Sequence, residues 1–496
     1  MAKNKTKKSK LTKSMLLQEC LQYVVFYGDR ATPKSYYAEF EDEKEMTIFA
    51  SIHSEIFKGF LIELSEKLSD YELSLDADPV VKRLQCSCSY LKNYTKTDIH
   101  IRMCGSLYAG NIQYDLQNRS QKVVSIDKED WRFVNKADDT TKKFVTSDYS
   151  LPQVMPKRTT ESPLTLLRPY LNVNDDQFKL FVVWLCQALS AGSHHALLLL
   201  GDKGAGKTSL CNLTMKLLNP FEFTVTHMPS KVDDLLVLLH NAPVCAFDNI
   251  EDINNQVSNA LCQAVTGSAS VKRSLYTNND LSISRFHNTI ILNGIDVIPE
   301  KDDLKERLLY LKLQKFTSDN IIREDELWEN FENDRPYILG SIFLTLSGAM
   351  KMTDEPMPTY KPRMLRAFQE MVLIARALGI PDDEFVRIYN DNVEELKQLG
   401  KTKPVIVSAV KEYLCKYNGR KVVKPSEQMY KDIYSDFSGD KSSFPNGASE
   451  FSKQLEEHQA ELRKENIRLI IDDTGAQCST ITFIKTSAFG KEKKTA

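Results

Sequence analysis

The feature that most constrains this chain is a run of five apolar residues that ends in a glycine-rich loop. Ala196-Leu197-Leu198-Leu199-Leu200 has no polar side to turn to water, so it reads as a strand buried on both faces, the condition of an inner strand in a parallel sheet. It runs straight into Gly201-Asp202-Lys203-Gly204-Ala205-Gly206-Lys207-Thr208, which is G-x-x-x-x-G-K-[ST]. Glycines let successive backbone N–H groups curl round a polyphosphate, and the lysine reaches its outer oxygens. The next hydroxyl holds Mg²⁺, and the helix that begins there turns its positive end to the anion. An amphipathic helix over 209–218 follows as required. Gly201, Lys203, Gly204, Ala205, Gly206, Lys207, Thr208 and Ser209 are therefore the candidate nucleotide-binding residues, with Thr208 also a metal ligand.

Downstream, the pattern supplies the rest of a nucleotide-binding sheet. Residues 221–226 read as a strand and 231–239 as a helix; then Pro243-Val244-Cys245-Ala246-Phe247-Asp248-Asn249 is an apolar strand ending in an acid. Such a strand delivers a carboxylate beside the phosphates, where Asp248 would hold the water shell of Mg²⁺. Asn249 stands next, where many such enzymes have Glu, and Glu251 follows two residues later. Either fits the task of orienting water, Asn249 by hydrogen bonding and Glu251 as a base; strand direction favours the adjacent residue. A helix over 256–265 leads to a hairpin with arms 270–276 and 281–286 around Thr277-Asn278-Asn279-Asp280. The strand Thr289-Ile290-Ile291-Leu292 then ends on Asn293, and Asp303-Leu304-Lys305-Glu306-Arg307 sets a basic residue immediately before another apolar strand.

Outside this core the signals are coarser. Six lysines, Lys3, Lys5, Lys7, Lys8, Lys10 and Lys13, precede the first acid, Glu19, and read as a solvated, disordered tail over 1–14. Residues 15–152 alternate helical and strand-like runs, a mixed α/β accessory domain with no catalytic constellation, and a proline-bearing linker closes it at 151–156. Helices over 163–171 and 175–189 precede the first core strand, and amphipathic helices over 324–350, 362–378 and 382–399 follow the last. No apolar run reaches the roughly 18 residues that span a bilayer, and no signal peptide is evident, so a cytoplasmic protein is expected. The ten cysteines are scattered as small hydrophobes; only Cys86 and Cys88 are close, with no second pair to complete a zinc site. His194 and His195 have no nucleophile or third ligand at motif spacing and read as loop residues.

In their order, the P-loop, the apolar strand ending in Asp248, T-G-x(4)-[KR]-R-x-L-Y at Thr266–Tyr276, the strand ending in Asn293 and D-L-x-x-R at Asp303–Arg307 resemble one family. They look like the AAA+ ATPases of phage and mobile-element replication proteins, close to superfamily 3 helicases and more distantly similar to MCM helicases. The resemblance covers 163–380. It implies an α/β AAA+ core at 160–352, a parallel sheet flanked by helices with a β-hairpin insertion, and a helical lid and linker at 353–400, in which Arg363 is a candidate sensor. It further implies ATP hydrolysis with Mg²⁺, Asn293 as the sensor of the γ-phosphate, and Arg307 as an arginine finger inserted into a neighbour's site within a homo-oligomeric, hexameric ring. Lys207, Asp248, Asn249, Asn293 and Arg307 are thus the expected catalytic set. Lys272, Arg273 and Arg285 match a hairpin that tracks DNA, although its tip lacks a lysine.

Residues 401–490 read as helices over 405–417, 426–437 and 447–464 followed by strands over 467–471 and 479–484, which resembles a winged helix. Lys453 on the third helix is a candidate DNA contact, diluted by Glu450, Glu456, Glu457 and Glu461. The expectation is an ATP-dependent DNA helicase or translocase replicating a phage or mobile element in a bacterial cytoplasm. The alternative is a regulatory or defence-type ATPase switch without processive unwinding.

Overall fold

The computed structural model describes residues 12–32, 34–69, 76–250, 253–273, 281–294, 299, 301–314, 323–399, 404–417, 419–439, 441, 444–472 and 479–486; of 268–273, 281–286, 460 and 464 it describes the backbone alone. Several sequence-predicted features therefore lie outside the described residues: the lysines before Lys13, Glu251, the end of the first hairpin arm with its turn (274–280), and Cys478. The chain divides into two compact units, Met1–Leu396 and Lys397–Ala496.

The first unit opens with α1 (Lys13–Tyr23), β1 (Val25–Asp29), β2 (Tyr36–Glu41), β3 (Thr47–Ser51), α2 (Glu55–Leu68), α3 (Asp78–Ser87) and β4 (Tyr94–Thr97). The strands form a sheet in the order β3-β2-β1-β4. Phe26, Phe40, Phe57, Leu61 and Leu84 bury its core beneath the helices. Arg102 then takes φ +62°, between β5 (Ile99–His100) and β6 (Met103–Ser106). From β6 the chain continues as a meander through β7 (Asn111–Asp115), β8 (Lys122–Asp127) and β9 (Trp131–Asn135), while β10 (Lys143–Phe144) pairs with β5.

Next, α4 (Pro163–Leu167) and α5 (Asp175–Gln187) lead to β11 (Ala196–Leu200) and α6 (Lys207–Leu218). After them come β12 (Thr226–His227), α7 (Val232–Asn241), β13 (Val244–Ile250), α8 (Asn255–Thr266) and the antiparallel pair β14 (Ser268–Arg273) and β15 (Leu281–Phe286). The series ends with β16 (Thr289–Gly294), α9 (Asp302–Lys305), β17 (Leu308–Lys312), α10 (Glu324–Lys351), α11 (Leu365–Ala377) and α12 (Asp382–Leu399). Five strands make one parallel sheet in the order β12-β13-β16-β11-β17.

The apolar strands are buried on both sides because their alternation feeds two different cores. Leu197, Leu199, Val244, Ala246, Ile291, Leu309 and Leu311 join the core that also contains α5, α6, α10 and α11 residues. Their neighbours Ala196, Leu198, Cys245, Phe247, Ile290, Leu292 and Tyr310 join the core shared with Leu235, Leu239 and Leu261. Aromatic contacts bring the N-terminal meander into the first core: Phe343 of α10 lies 5.7 Å from Tyr114 and 5.9 Å from Trp131, ring centre to ring centre. The linker follows the same helix so closely that a side chain at Gly340 would meet the Lys157 carbonyl oxygen at 1.8 Å.

Two sequence expectations are corrected here. The strand over 221–226 is reduced to Thr226–His227, because Phe221 and Phe223 gather around the Tyr149 ring and Phe221 bridges to Ser150. The helix over 163–171 stops at Leu167 and tightens into a 3₁₀ turn that contains Pro169, which cannot donate an amide to the helix.

The second unit comprises α13 (Val405–Lys416), β18 (Lys421–Pro425), α14 (Ser426–Asp436), α15 (Ala448–Glu457), α16 (Gln459–Lys464), β19 (Ile467–Asp472) and β20 (Thr480–Lys485). Its strands pair antiparallel in the order β18-β20-β19 over a core that includes Val410, Leu414, Met429, Phe451, Leu455 and Phe483. The strand β18 was absent from the sequence reading, and the single helix over 447–464 is interrupted at His458. Among the described residues no helix is long and apolar enough to cross a membrane.

Candidate active site

The P-loop takes the backbone its glycines permit. Gly201, Gly204 and Gly206 have φ of +142°, +84° and +82°, and a Cβ on Gly201 would stand 2.7 Å from the Leu313 carbonyl oxygen. Leu210 N donates to Gly206 O at 2.9 Å, which starts α6 directly behind the loop and leaves the first helical amides turned to it. Ala205 is buried and anchors the turn, whereas Asp202, Lys203, Gly204 and Thr208 are exposed and Ser209 half-buried. Lys207 Nζ donates to the carbonyl oxygens of Gly201 at 2.6 Å and Asp202 at 3.0 Å, so the ammonium already sits in the mouth of the loop.

Because β16 lies between β11 and β13, the ends of three strands converge beside that loop. Thr208 Oγ1 donates to Asp248 Oδ2 at 2.9 Å, Asn293 Nδ2 donates to Asp248 Oδ1, and the Asn249 amide donates to the same oxygen at 2.7 Å. A β-bulge shapes this corner. The register between β13 and β16 shifts between Phe247 and Ile250, and Asn249 occupies the left-handed region at φ +50°. The extra residue breaks the β13–β16 ladder at this point, while Asp248 still pairs with His227 of β12. Asn293 is 1% exposed, and donation to a carboxylate fixes which end of its amide is nitrogen. Its Oδ1 is buried without a partner, an acceptor aimed at nothing in the protein.

Those residues fit a Mg²⁺-bound triphosphate. No group of three or more His, Cys, Asp or Glu among the described residues is arranged to hold a metal. A hydroxyl and one carboxylate 2.9 Å apart leave a small ion most of its shell for water and phosphate oxygens, the arrangement Mg²⁺ prefers.

Arg307 belongs to the opposite edge of the sheet. It precedes β17, whose first residue pairs with Ala196 at the start of β11, whereas the P-loop follows the end of β11. The length of one five-residue strand, about 16 Å, therefore separates it from the P-loop. There Arg307 Nη1 pairs with Asp303 Oδ1 at 2.8 Å, and Arg363 bridges Asp303 and Glu306. The hydrogen bond from Arg307, with desolvation opposing it, holds the Asp303 carboxyl below its ordinary range. The lid candidate Arg363 thus stands with Arg307 and not with the P-loop. The base of the β14–β15 pair rises from this same edge, since Phe286 leads into the start of β16; Lys272 and Arg273 lie on one arm and Arg285, opposite Ala269, on the other. In the second unit, Lys453 is an exposed side chain of α15, 3.9 Å from Glu457.

Sequence reasoning missed the anchor of α6. Its last carbonyls, orphaned in any helix, accept from buried groups of the meander and linker. Gln153 Nε2 donates to Lys216 O and Leu217 O at 3.1 Å, and Tyr114 Oη to Leu218 O at 3.1 Å. Arg102, wholly buried, donates through Nε to Asn219 Oδ1 at 2.8 Å, and Arg335 donates to Gln153 Oε1 at 2.6 Å. Nothing in the sequence marks an isolated Gln or Arg as such a partner. His194 and His195 are structural: burial pushes both down to about 3, and they bond Ser190 O and Tyr389 Oη.

Residues 165–376, which include the parallel sheet and the convergent site, match the model of the actinomycete integrative conjugative element replication protein family. Among solved structures the chain is similar to "SCCmec type IV Cch - active helicase", with 11% identity over 93% of this chain and 92% of that one and a TM-score of 0.42. It is also similar to "The A form apo structure of NrS-1 C terminal region-CTR", with 13% identity over 97% and 100% and a TM-score of 0.37. No curated protein matches the sequence.

Proposed function

We propose that this chain is an ATP-dependent DNA helicase or translocase of the AAA+ class, acting as a ring in the replication of a mobile genetic element in the bacterial cytoplasm. The observation that carries the reading is the convergence of Lys207, Thr208, Asp248 and Asn293 at one end of a parallel sheet. The strand order supports it, because the strand ending in Asn293 is inserted between the P-loop strand and the Asp248 strand. The match to a replication-protein family over 165–376 supports the biological setting.

In this reading, the P-loop amides and Lys207 bind the phosphates, with Nζ exchanging the carbonyls of Gly201 and Asp202 for phosphoryl oxygens. Thr208 and Asp248 hold Mg²⁺, which supplies charge neutralisation at the transferring phosphoryl group. Asn293, held by Asp248, offers its free Oδ1 to the attacking water, and Asn249 lies beside it. Arg307 lies too far from its own P-loop to act there, which supports a role at the site of an adjoining subunit. Lys272, Arg273 and Arg285 contact the DNA backbone from the hairpin. The functional division is an accessory domain at 15–152, an ATPase core at 160–352, a lid at 353–400 and a winged helix at 401–490 bearing Lys453.

Strand displacement on a forked duplex tests the proposal, with ATP turnover measured with and without DNA. Displacement that needs ATP is expected. ATP turnover without displacement, and indifferent to DNA, would move the assignment to a nucleotide switch, the reading favoured by Asn249 in place of an acid after Asp248.

A further inference from the structure

Beside the P-loop lies a cavity of about 350 Å³ that the phosphate chemistry does not use. Its near wall is Gly204, Gly206 and Ser209; its far wall is Tyr170, Leu213 and Trp328. The cavity runs from the P-loop glycines along α6 as far as Leu213, and its volume lies within the range of small-ligand sites. The far wall is stiff. Tyr170 and Trp328 each meet Phe331 edge to face, at 5.6 and 5.9 Å, and Lys216 Nζ lies 5.3 Å over the Trp328 ring. Among the described residues, the polar side chains that line the cavity are occupied or exposed. Tyr170 Oη donates to Asp334 at 2.7 Å, Glu324 is exposed in the first turn of α10, and Ser209 belongs to the phosphate loop.

We propose that this cavity holds the nucleobase by stacking and apolar contact without reading its edge, so that the protein takes purine nucleoside triphosphates and discriminates poorly between adenine and guanine. The inference rests on the nucleotide-binding reading above and adds the residues that hold the base. A site that hydrogen-bonds a substrate edge can reject the wrong one by roughly 10⁴ to 10⁵, whereas an apolar pocket gives about 10² at most. Loss of one aromatic stacking partner typically costs about 1–3 kcal/mol, about five- to 150-fold in affinity.

Titration calorimetry of the full chain with ATP, GTP, CTP and inorganic tripolyphosphate tests it. ATP and GTP should bind within about tenfold of each other and CTP more weakly. Trp328→Ala should lose about five- to 150-fold for ATP and GTP and nothing for tripolyphosphate, and Trp328→Phe should restore most of the loss. An ATP preference over GTP of 10³ or more, or unchanged ATP affinity in Trp328→Ala with tripolyphosphate still bound, would overturn the base pocket and leave the P-loop reading intact. Failure of the parent protein to bind either ATP or tripolyphosphate would overturn both.

Discussion

Glu370 offers a quantitative test of the core on which the site rests. It lies on α11, 2% exposed, with Ser190 Oγ donating to it at 3.3 Å and Gly192 packed against its carboxyl. Arg366, one turn earlier, lowers its pKa, but the guanidinium is also placed over the Tyr108 ring. Burial dominates and pushes the carboxyl from its ordinary 4.5 up to about 7. An acid whose folded pKa is raised is fully tolerated below the unfolded value and destabilises the fold as pH rises through the folded one, because the unfolded chain releases its proton first. The interval from 4.5 to about 7 corresponds to about 3 kcal/mol of stability lost above pH 7. Glu370→Gln keeps the shape and removes the ionisation. Thermal unfolding should therefore show parent and variant alike at pH 4.5, and the variant more stable by several degrees at pH 8.5. A difference that is the same at both pH values, or a variant less stable at pH 8.5, would refute the assignment of a buried, reluctantly ionised carboxyl.

Lys207→Ala should abolish ATP hydrolysis in a phosphate-release assay. Arg307→Ala should do the same while retaining nucleotide binding, and mixing the two inactive variants should restore activity if Arg307 completes a neighbour's site; no rescue, with a monomeric active species, would sink the ring. At the bulge, Asn249→Val should cost about 1–2 kcal/mol in denaturant unfolding because its left-handed backbone crowds a branched Cβ, whereas Asn249→Gly should be close to neutral. Gln153→Ala should cost about 2–4 kcal/mol, since it leaves Nε and Nη2 of the buried Arg335 and two carbonyls of α6 without their partner, while Arg335 Nη1 keeps Glu332.

The strand and the glycine loop behind it were legible in the sequence, because a buried parallel strand and a glycine-rich turn are written in consecutive residues. Ala196–Leu200 and Gly201–Thr208 form the strand and turn that their composition dictates, and the strand ending in Asp248 follows the same logic. Short elements were less legible. Lys421–Pro425 is a strand only because β20 offers it a partner, and the helix over 447–464 reads as continuous until His458 interrupts it. Tertiary structure alone decided which distant residues meet. Strand order, which no local pattern encodes, set Asn293 between Lys207 and Asp248 and put Arg307 at the far edge. It also brought Gln153 and Arg102 from the linker and meander to the end of the helix whose start grips the phosphate loop. The sequence by itself determined the chemistry available at each strand end; long-range packing determined which ends share a site, because that depends on which faces find each other to bury.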